Sequence, residues 1–161
     1  MPTRGTAQPG RTVMEGVEGV LSRVGQHLGY SDWILVTQER VDQFAEATGD
    51  FQWIHVDPDR AAAESPYKTT IAHGYLTLSL VPSSLPDVVE MRGFKLGINY
   101  GIEKLRFPAP VPVGSRVRVS LTLAEAVPFD GGVTVSFGVV AEVEGTTKPA
   151  MVTTVLYRQY V

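Results

Sequence analysis

Cysteine is absent from the 161 residues, which excludes disulfides, thiolate metal sites and thiol nucleophiles and fits a cytoplasmic protein. A basic surplus is absent too. The formal net charge is -3, so no general positive field exists to draw in nucleic acid or an anionic membrane. No apolar run approaches the roughly 18 residues that a bilayer span requires. The start, MPTRGTAQPGRTV, carries charge and small residues but no hydrophobic segment, so no secretion signal is expected. Its Gly, Pro and Thr content predicts a flexible lead-in over residues 1–12. No solenoid repeat, linker or composition break appears, which predicts a single domain over 13–161. The chain is 43% hydrophobic and 19% charged, and at this length it can bury a sizeable core.

The first half reads as helical. Val13, Val17, Val20, Leu21, Val24 and Leu28 recur at helical spacing and predict a helix from Val13 to His27 that stops at Gly29, although three glycines interrupt it. SDWILV reads as a short extended piece. Thr37 suits the N-cap of a helix over Gln38–Thr48, with Val41, Phe44 and Ala45 on its buried stripe and Gly49 at its end. Arg40 stands where a capping box would need Glu or Gln, so only the simple cap is expected. Asp57 and Pro58 suit the N-cap and first position of another short helix, VDPDRAAAE. IAHGYLTLSLVP opens a helix that is apolar almost all round and therefore buried. Pro82 has no N–H for the Leu78 carbonyl, so a kink or an early end is expected there.

The second half reads as strands: GFKLGINYG, GSRVRVSLTLAEAV, GVTVSFGVVAEVE and KPAMVTTVLYRQYV. Val117, Val119, Leu121 and Leu123 alternate with Arg116, Arg118, Ser120 and Thr122, the period of a half-buried strand. Asp130-Gly131-Gly132 and Glu144-Gly145 are turn signals that make neighbouring strands antiparallel. Helices followed by an antiparallel sheet give an α+β arrangement, with one helix apolar enough to lie within the curl of the sheet.

The chemistry concentrates in TGDFQWIHVDP, where Asp50 precedes His55 by five residues. Five residues of α-helix rotate the chain about 140° beyond a full turn, and an odd separation on a strand sends side chains to opposite faces. The two groups converge only if the backbone between them bends. Gly49 and the Asp57-Pro58 helix start permit that bend, and Phe51, Trp53 and Ile54 would anchor and dry it. A carboxylate with a reference pKa of about 3.9 beside an imidazole of about 6.5 is suited to holding one water and moving its proton. An ion pair or loop staple is the alternative reading.

His73-Gly74 stands where the apolar helix starts. Helix N-termini present unpaired N–H groups, and Gly74 lacks a side chain that would block a carbonyl oxygen from reaching its own N–H. Close helix–sheet packing explains that glycine equally well, and His73 reads as a structural histidine bonded to backbone. No HxxxH or HxH cluster supports a metal on Asp50, His55, Asp57 and His73, so none is expected. A phosphate loop and a nucleophile elbow are also missing. In NYGIEKLRFPAPVPVGSRV, three alternate prolines mark an edge or sheet-entry segment. Arg106, Arg116, Arg118 and Lys148 either contact the phosphates of a carrier such as coenzyme A or form a solvated face. Trp53, Ile54, Tyr75, Leu76, Ile98, Asn99 and Tyr100 are candidate pocket residues.

Taken together, GD-FQWI-H-VDP, then IAHG opening an apolar helix, then RFPAPVPVGS opening a strand run, resemble the MaoC-like dehydratases, the (R)-specific enoyl-CoA hydratases. The likeness is to the compact single-domain actinobacterial type, akin to nodulation-protein-N-like members, and runs from about Ser31 to Val161. It implies a hot-dog fold, an antiparallel sheet wrapped round one long helix, in a homodimer with pockets near the interface. It implies Asp50 and His55 as the pair that activates water, and the Gly74 N–H as oxyanion donor to a thioester carbonyl. The implied reaction is reversible hydration of trans-2-enoyl thioesters to (3R)-hydroxyacyl thioesters, on coenzyme A or acyl carrier protein, without a metal or redox cofactor. A hot-dog thioesterase and a non-catalytic acyl-thioester-binding subunit are the alternatives.

Overall fold

The computed structural model describes residues 10–161. The first nine residues of the expected lead-in therefore lie outside the described part. Arg11, just inside it, ion-pairs with Glu90 and donates to the Pro86 carbonyl at 3.1 Å.

The helix expected from Val13 to His27 does not form. The segment instead gives strand β1 (Thr12–Glu15), a short helix α1 (Gly16–Leu21) and strand β2 (His27–Tyr30). Gly16 at φ +61° and Gly25 at φ +84° turn the backbone through the left-handed region at the two joints, which a continuous right-handed helix does not allow. The apolar spacing survives only in part: Val20 and Leu28 are buried, Val13 and Val24 are exposed, and Met14, outside the pattern, is buried instead. After a two-residue strand β3 (Ile34–Leu35), helix α2 (Gln38–Thr48) follows the expected boundaries. Thr37 accepts the Arg40 N–H at 3.2 Å, and Gly49 closes the helix in the left-handed region at φ +79°. Helices α3 (Trp53–Val56) and α4 (Pro58–Glu64) come next, the latter capped by Asp57 accepting the Arg60 N–H at 3.0 Å.

The buried helix is interrupted where Pro82 predicts: α5 (Gly74–Ser79) and α6 (Val81–Val88) meet at Leu80. The single long helix is thus two short ones. Strands β4 (Val89–Arg92), β5 (Leu96–Arg106), β6 (Arg116–Phe129), β7 (Gly132–Val143) and β8 (Met151–Tyr160) complete the chain. β1 and β4 form a parallel pair, while the main sheet runs β2-β6-β7-β8-β5 with β3 also on β6, every pairing antiparallel. Val117, Val119, Leu121 and Leu123 are buried as their alternation predicts and meet Phe137, Val139, Leu76, Val81 and Val88 in one core. The sheet therefore closes over α5 and α6, the hot-dog arrangement, and holds the N-terminus of α5 against the segment that follows α2.

Candidate active site

The bend between Asp50 and His55 has a local cause. Gly49 reverses the chain at the end of α2, and the single turn of α3 swings His55 back toward Asp50. One ligand-capable atom each from Asp50, His55 and His73 falls within 4.8 Å of the other two. Two hydrogen bonds of about 2.8 Å span up to about 5.6 Å, so a separation of this size is within the span of one bridging water. His55 is 8% exposed and its Nδ1 donates to the Ile71 carbonyl at 2.7 Å. In the neutral ring that bond leaves Nε2 as the free acceptor. Burial pulls its pKa below the ordinary 6.5; the Ile71 carbonyl opposes the shift, the adjacent His73 adds to it, and Asp50 opposes it. The backbone of His55 is held as well. Gln38 donates to its carbonyl at 2.8 Å and accepts from Thr70 at 2.6 Å.

The drying role expected of the intervening apolar residues is only partly met. Trp53 and Ile54 are half-buried, but Phe51 is 53% exposed and the Asp50 side chain 55% exposed. The turn that brings His55 inward carries residue 51 outward. Asp50 Oδ1 accepts the Gln52 N–H at 3.4 Å. His73 is 3% exposed; its Nε2 donates to the Asp50 main-chain carbonyl at 3.0 Å, and its ring stacks on His55 with centroids 3.9 Å apart.

Gly74 is the first residue of α5, so its N–H lies ahead of the helix's own hydrogen-bond ladder. It lines a cavity of about 270 Å³ with His55, Tyr67, Ile71, Thr77 and Phe107 among its walls. The Phe107 ring lies so close that a Cβ on residue 74 would sit 2.9 Å from its Cδ2 and Cε2. The missing side chain thus makes room for an aromatic wall at this residue. Phe107 escapes sequence reasoning because its neighbour is 33 positions away. Thr77 carries a weak signal, one turn beyond Gly74 on the same helix.

The other candidates fall in different places. Tyr75, Asn99 and Tyr100 line a second cleft of about 410 Å³ on the other side of α5, with Leu78, Pro82 and Ile102. Leu76 is core at 4% exposure, and Ile98 sits exposed on β5. Trp53 lies under the guanidinium of Arg60 at 4.4 Å, and Ile54 accepts the Ile71 N–H at 3.1 Å through its carbonyl. Arg116 pairs with Glu144 and Arg118 with Glu142, each at 2.8 Å, and Arg118 also lies over the rings of Tyr30 and Trp33. Lys148 borders a separate hollow beside Glu142. Arg106, next to Phe107, is exposed and donates only to the neighbouring Leu105 carbonyl among the described residues. Asp57, an alternative metal ligand, is occupied as a helix cap and stands outside the Asp50–His55–His73 group.

A curled antiparallel sheet closed over α5 and α6, with His55 and Gly74 on one cavity at the start of α5, is the architecture of a hot-dog protein. The chain belongs to the MaoC-like dehydratase family: residues 20–145 match the MaoC like domain. It is 51% identical over 139 residues to 3-hydroxyacyl-thioester dehydratase Z of Mycobacterium tuberculosis, covering 86% of this chain and 91% of that protein. Nodulation protein N of Rhizobium leguminosarum is 46% identical over 82% of this chain and 83% of its own length. Among solved structures, the R-hydratase PhaJ1 of Pseudomonas aeruginosa superposes with a TM-score of 0.65 at 26% identity, covering 85% of this chain and 81% of that one.

Proposed function

We propose that this protein catalyses the reversible syn hydration of trans-2-enoyl thioesters to (3R)-hydroxyacyl thioesters. The observation that carries the proposal is the convergence of Asp50 and His55 within reach of one water, beside a cavity that His55 shares with Gly74. The related dehydratase and R-hydratase support it. The thioester carbonyl accepts the Gly74 N–H, which stabilises the enolate oxygen as negative charge develops. Water held by Asp50 and by Nε2 of His55 attacks C3 and gives up one proton to the pair. The same pair returns a proton to C2 on the same face, so the net change is addition of H and OH across the double bond. Dehydration reverses each step.

No redox cofactor or metal enters this scheme, and coenzyme A arrives as part of the substrate. Arg106 beside Phe107 is the cation best placed to meet the carrier's phosphates. Arg116 and Arg118 would first have to leave their carboxylate partners, and Lys148 lies beside another hollow. Acyl carrier protein is the alternative carrier.

The working unit in this reading is a homodimer. β5 is the sheet's edge and exposes Leu96, Ile98, Tyr100 and Ile102 at 45–57%, an apolar edge that a second copy would cover. Sedimentation at single-chain mass would refute it. No helix among the described residues is long and apolar enough to cross a membrane, and a cytoplasmic setting belongs to the same proposal.

Hydration of crotonyl-CoA and longer enoyl-CoA esters, followed as loss of the enone absorbance, tests the reaction. Asp50→Asn and His55→Gln should each lower kcat by about 10²–10⁴-fold. Unchanged turnover in either variant sinks the assignment. Release of free thiol, measured with a thiol-reactive dye, would move it to a thioesterase.

A further inference from the structure

We infer that His73 is the positioning residue that couples Asp50 to His55, an inference that rests on the hydratase reading for its kinetic consequence. The side chain touches both members of the pair by different means. A carbonyl only accepts, so the 3.0 Å contact with the Asp50 main chain requires a hydrogen on Nε2 of His73. This is the firmest hold on Asp50. Its own N–H reaches Thr48 Oγ1 at 3.4 Å, its carboxylate receives the Gln52 N–H at 3.4 Å, and Oδ2 lies 4.0 Å from His73 Nε2. The residue follows a left-handed glycine at a helix end, where little else fixes its backbone.

The same ring is the face on which His55 rests. Centroids are 3.9 Å apart with planes 28° from parallel, and Phe44 of α2 lies 5.0 Å away from the His73 ring. The Ile71 carbonyl restrains His55 at Nδ1, and the stacked ring restrains its tilt. The main-chain carbonyl of His73 then receives the N–H groups of Leu76 at 3.1 Å and Thr77 at 3.2 Å, which sets the first turn of α5 directly after the Gly74 N–H. Nδ1 of His73 is buried without a partner. An apolar ring would fill the space without that orphan but would lose the Nε2–H bond to the Asp50 carbonyl.

Two substitutions divide the roles. His73→Phe keeps a ring face and loses the N–H, while His73→Gln keeps a donor and loses the face. Each should lower kcat by about 10–10²-fold, the scale of a misplacement near 1 Å, with KM within about threefold. A stability role alone would lower the melting temperature and leave kcat of the folded enzyme intact. Imidazole nitrogen spectra supply a readout that needs no turnover. The wild-type protein should show His73 protonated at Nε2 and His55 protonated at Nδ1, and the His55 signals should broaden or shift in both variants. Wild-type kcat in both variants, or a His73 protonated at Nδ1 alone, overturns the inference. An inactive wild type that still shows this tautomer pair and its loss in the variants would uphold the coupling and count against the hydratase reading instead.

Discussion

Gly74→Ala isolates the geometry around the proposed oxyanion donor, because alanine keeps the backbone N–H and adds a single carbon. The backbone at residue 74 lies outside the left-handed region, so alanine brings no conformational strain. It favours helix over glycine by up to about 1 kcal/mol. Against that, the new Cβ would stand 2.9 Å from Cδ2 and Cε2 of Phe107 and 3.1 Å from Cγ. Carbon atoms settle at about 3.5–4.0 Å, so the ring must retreat by roughly 0.6–1 Å. Overpacking costs about 1–3 kcal/mol. Phe107 is 40% exposed and has room to yield, which places the cost at the low end. The two effects nearly cancel, and the melting temperature should hardly move.

Turnover should fall nonetheless, by about 10²-fold, because the displaced ring walls the cavity shared by Gly74 and His55. Enoyl-CoA hydration by Gly74→Ala, Phe107→Ala and the double variant tests this. In the double variant the added carbon meets no ring, so its loss should be smaller than the product of the two single losses. Wild-type activity in Gly74→Ala would place the reacting centre elsewhere. Multiplicative losses would show that the clash is not the cause.

The protonation of His55 gives a pH dependence with a definite sign. Its folded pKa lies below 6.5, chiefly through burial. Between that value and 6.5 the unfolded chain binds more protons than the folded one, so the contribution to stability is complete above about pH 6.5 and is lost as pH falls through the folded value. The free base also persists below pH 6.5, and the acid limb of kcat/KM should be centred under that figure; a limb centred above it contradicts the buried geometry. Asp57→Ala should cost about 1 kcal/mol by removing the cap on the Arg60 N–H, measured by denaturant unfolding. It should leave kcat unchanged, and a large loss of turnover would return Asp57 to the chemistry.

What can be read from this sequence is what is decided within a few residues. Thr37, Gly49, Asp57 and Pro58 bound helices by local hydrogen-bond chemistry, and each boundary appears in the structure. The alternation from Val117 to Leu123 needs only the period of a strand. The Asp50–His55 bend is equally local, since Gly49 and Asp57 flank it. The helix expected at the start fails for a local reason as well: its apolar spacing fits 3.6 residues, but Gly16 and Gly25 serve as left-handed hinges rather than weak helix formers. Distant contacts leave no such trace. Phe107 meets Gly74 because β5 ends beside α5, and nothing near either residue encodes that approach. His73 shows the boundary between the two kinds of knowledge. Its neighbourhood reads as a histidine bonded to backbone, which is correct. Only the fold identifies that backbone as the carbonyl of Asp50, 23 residues earlier, and stacks the same ring on His55.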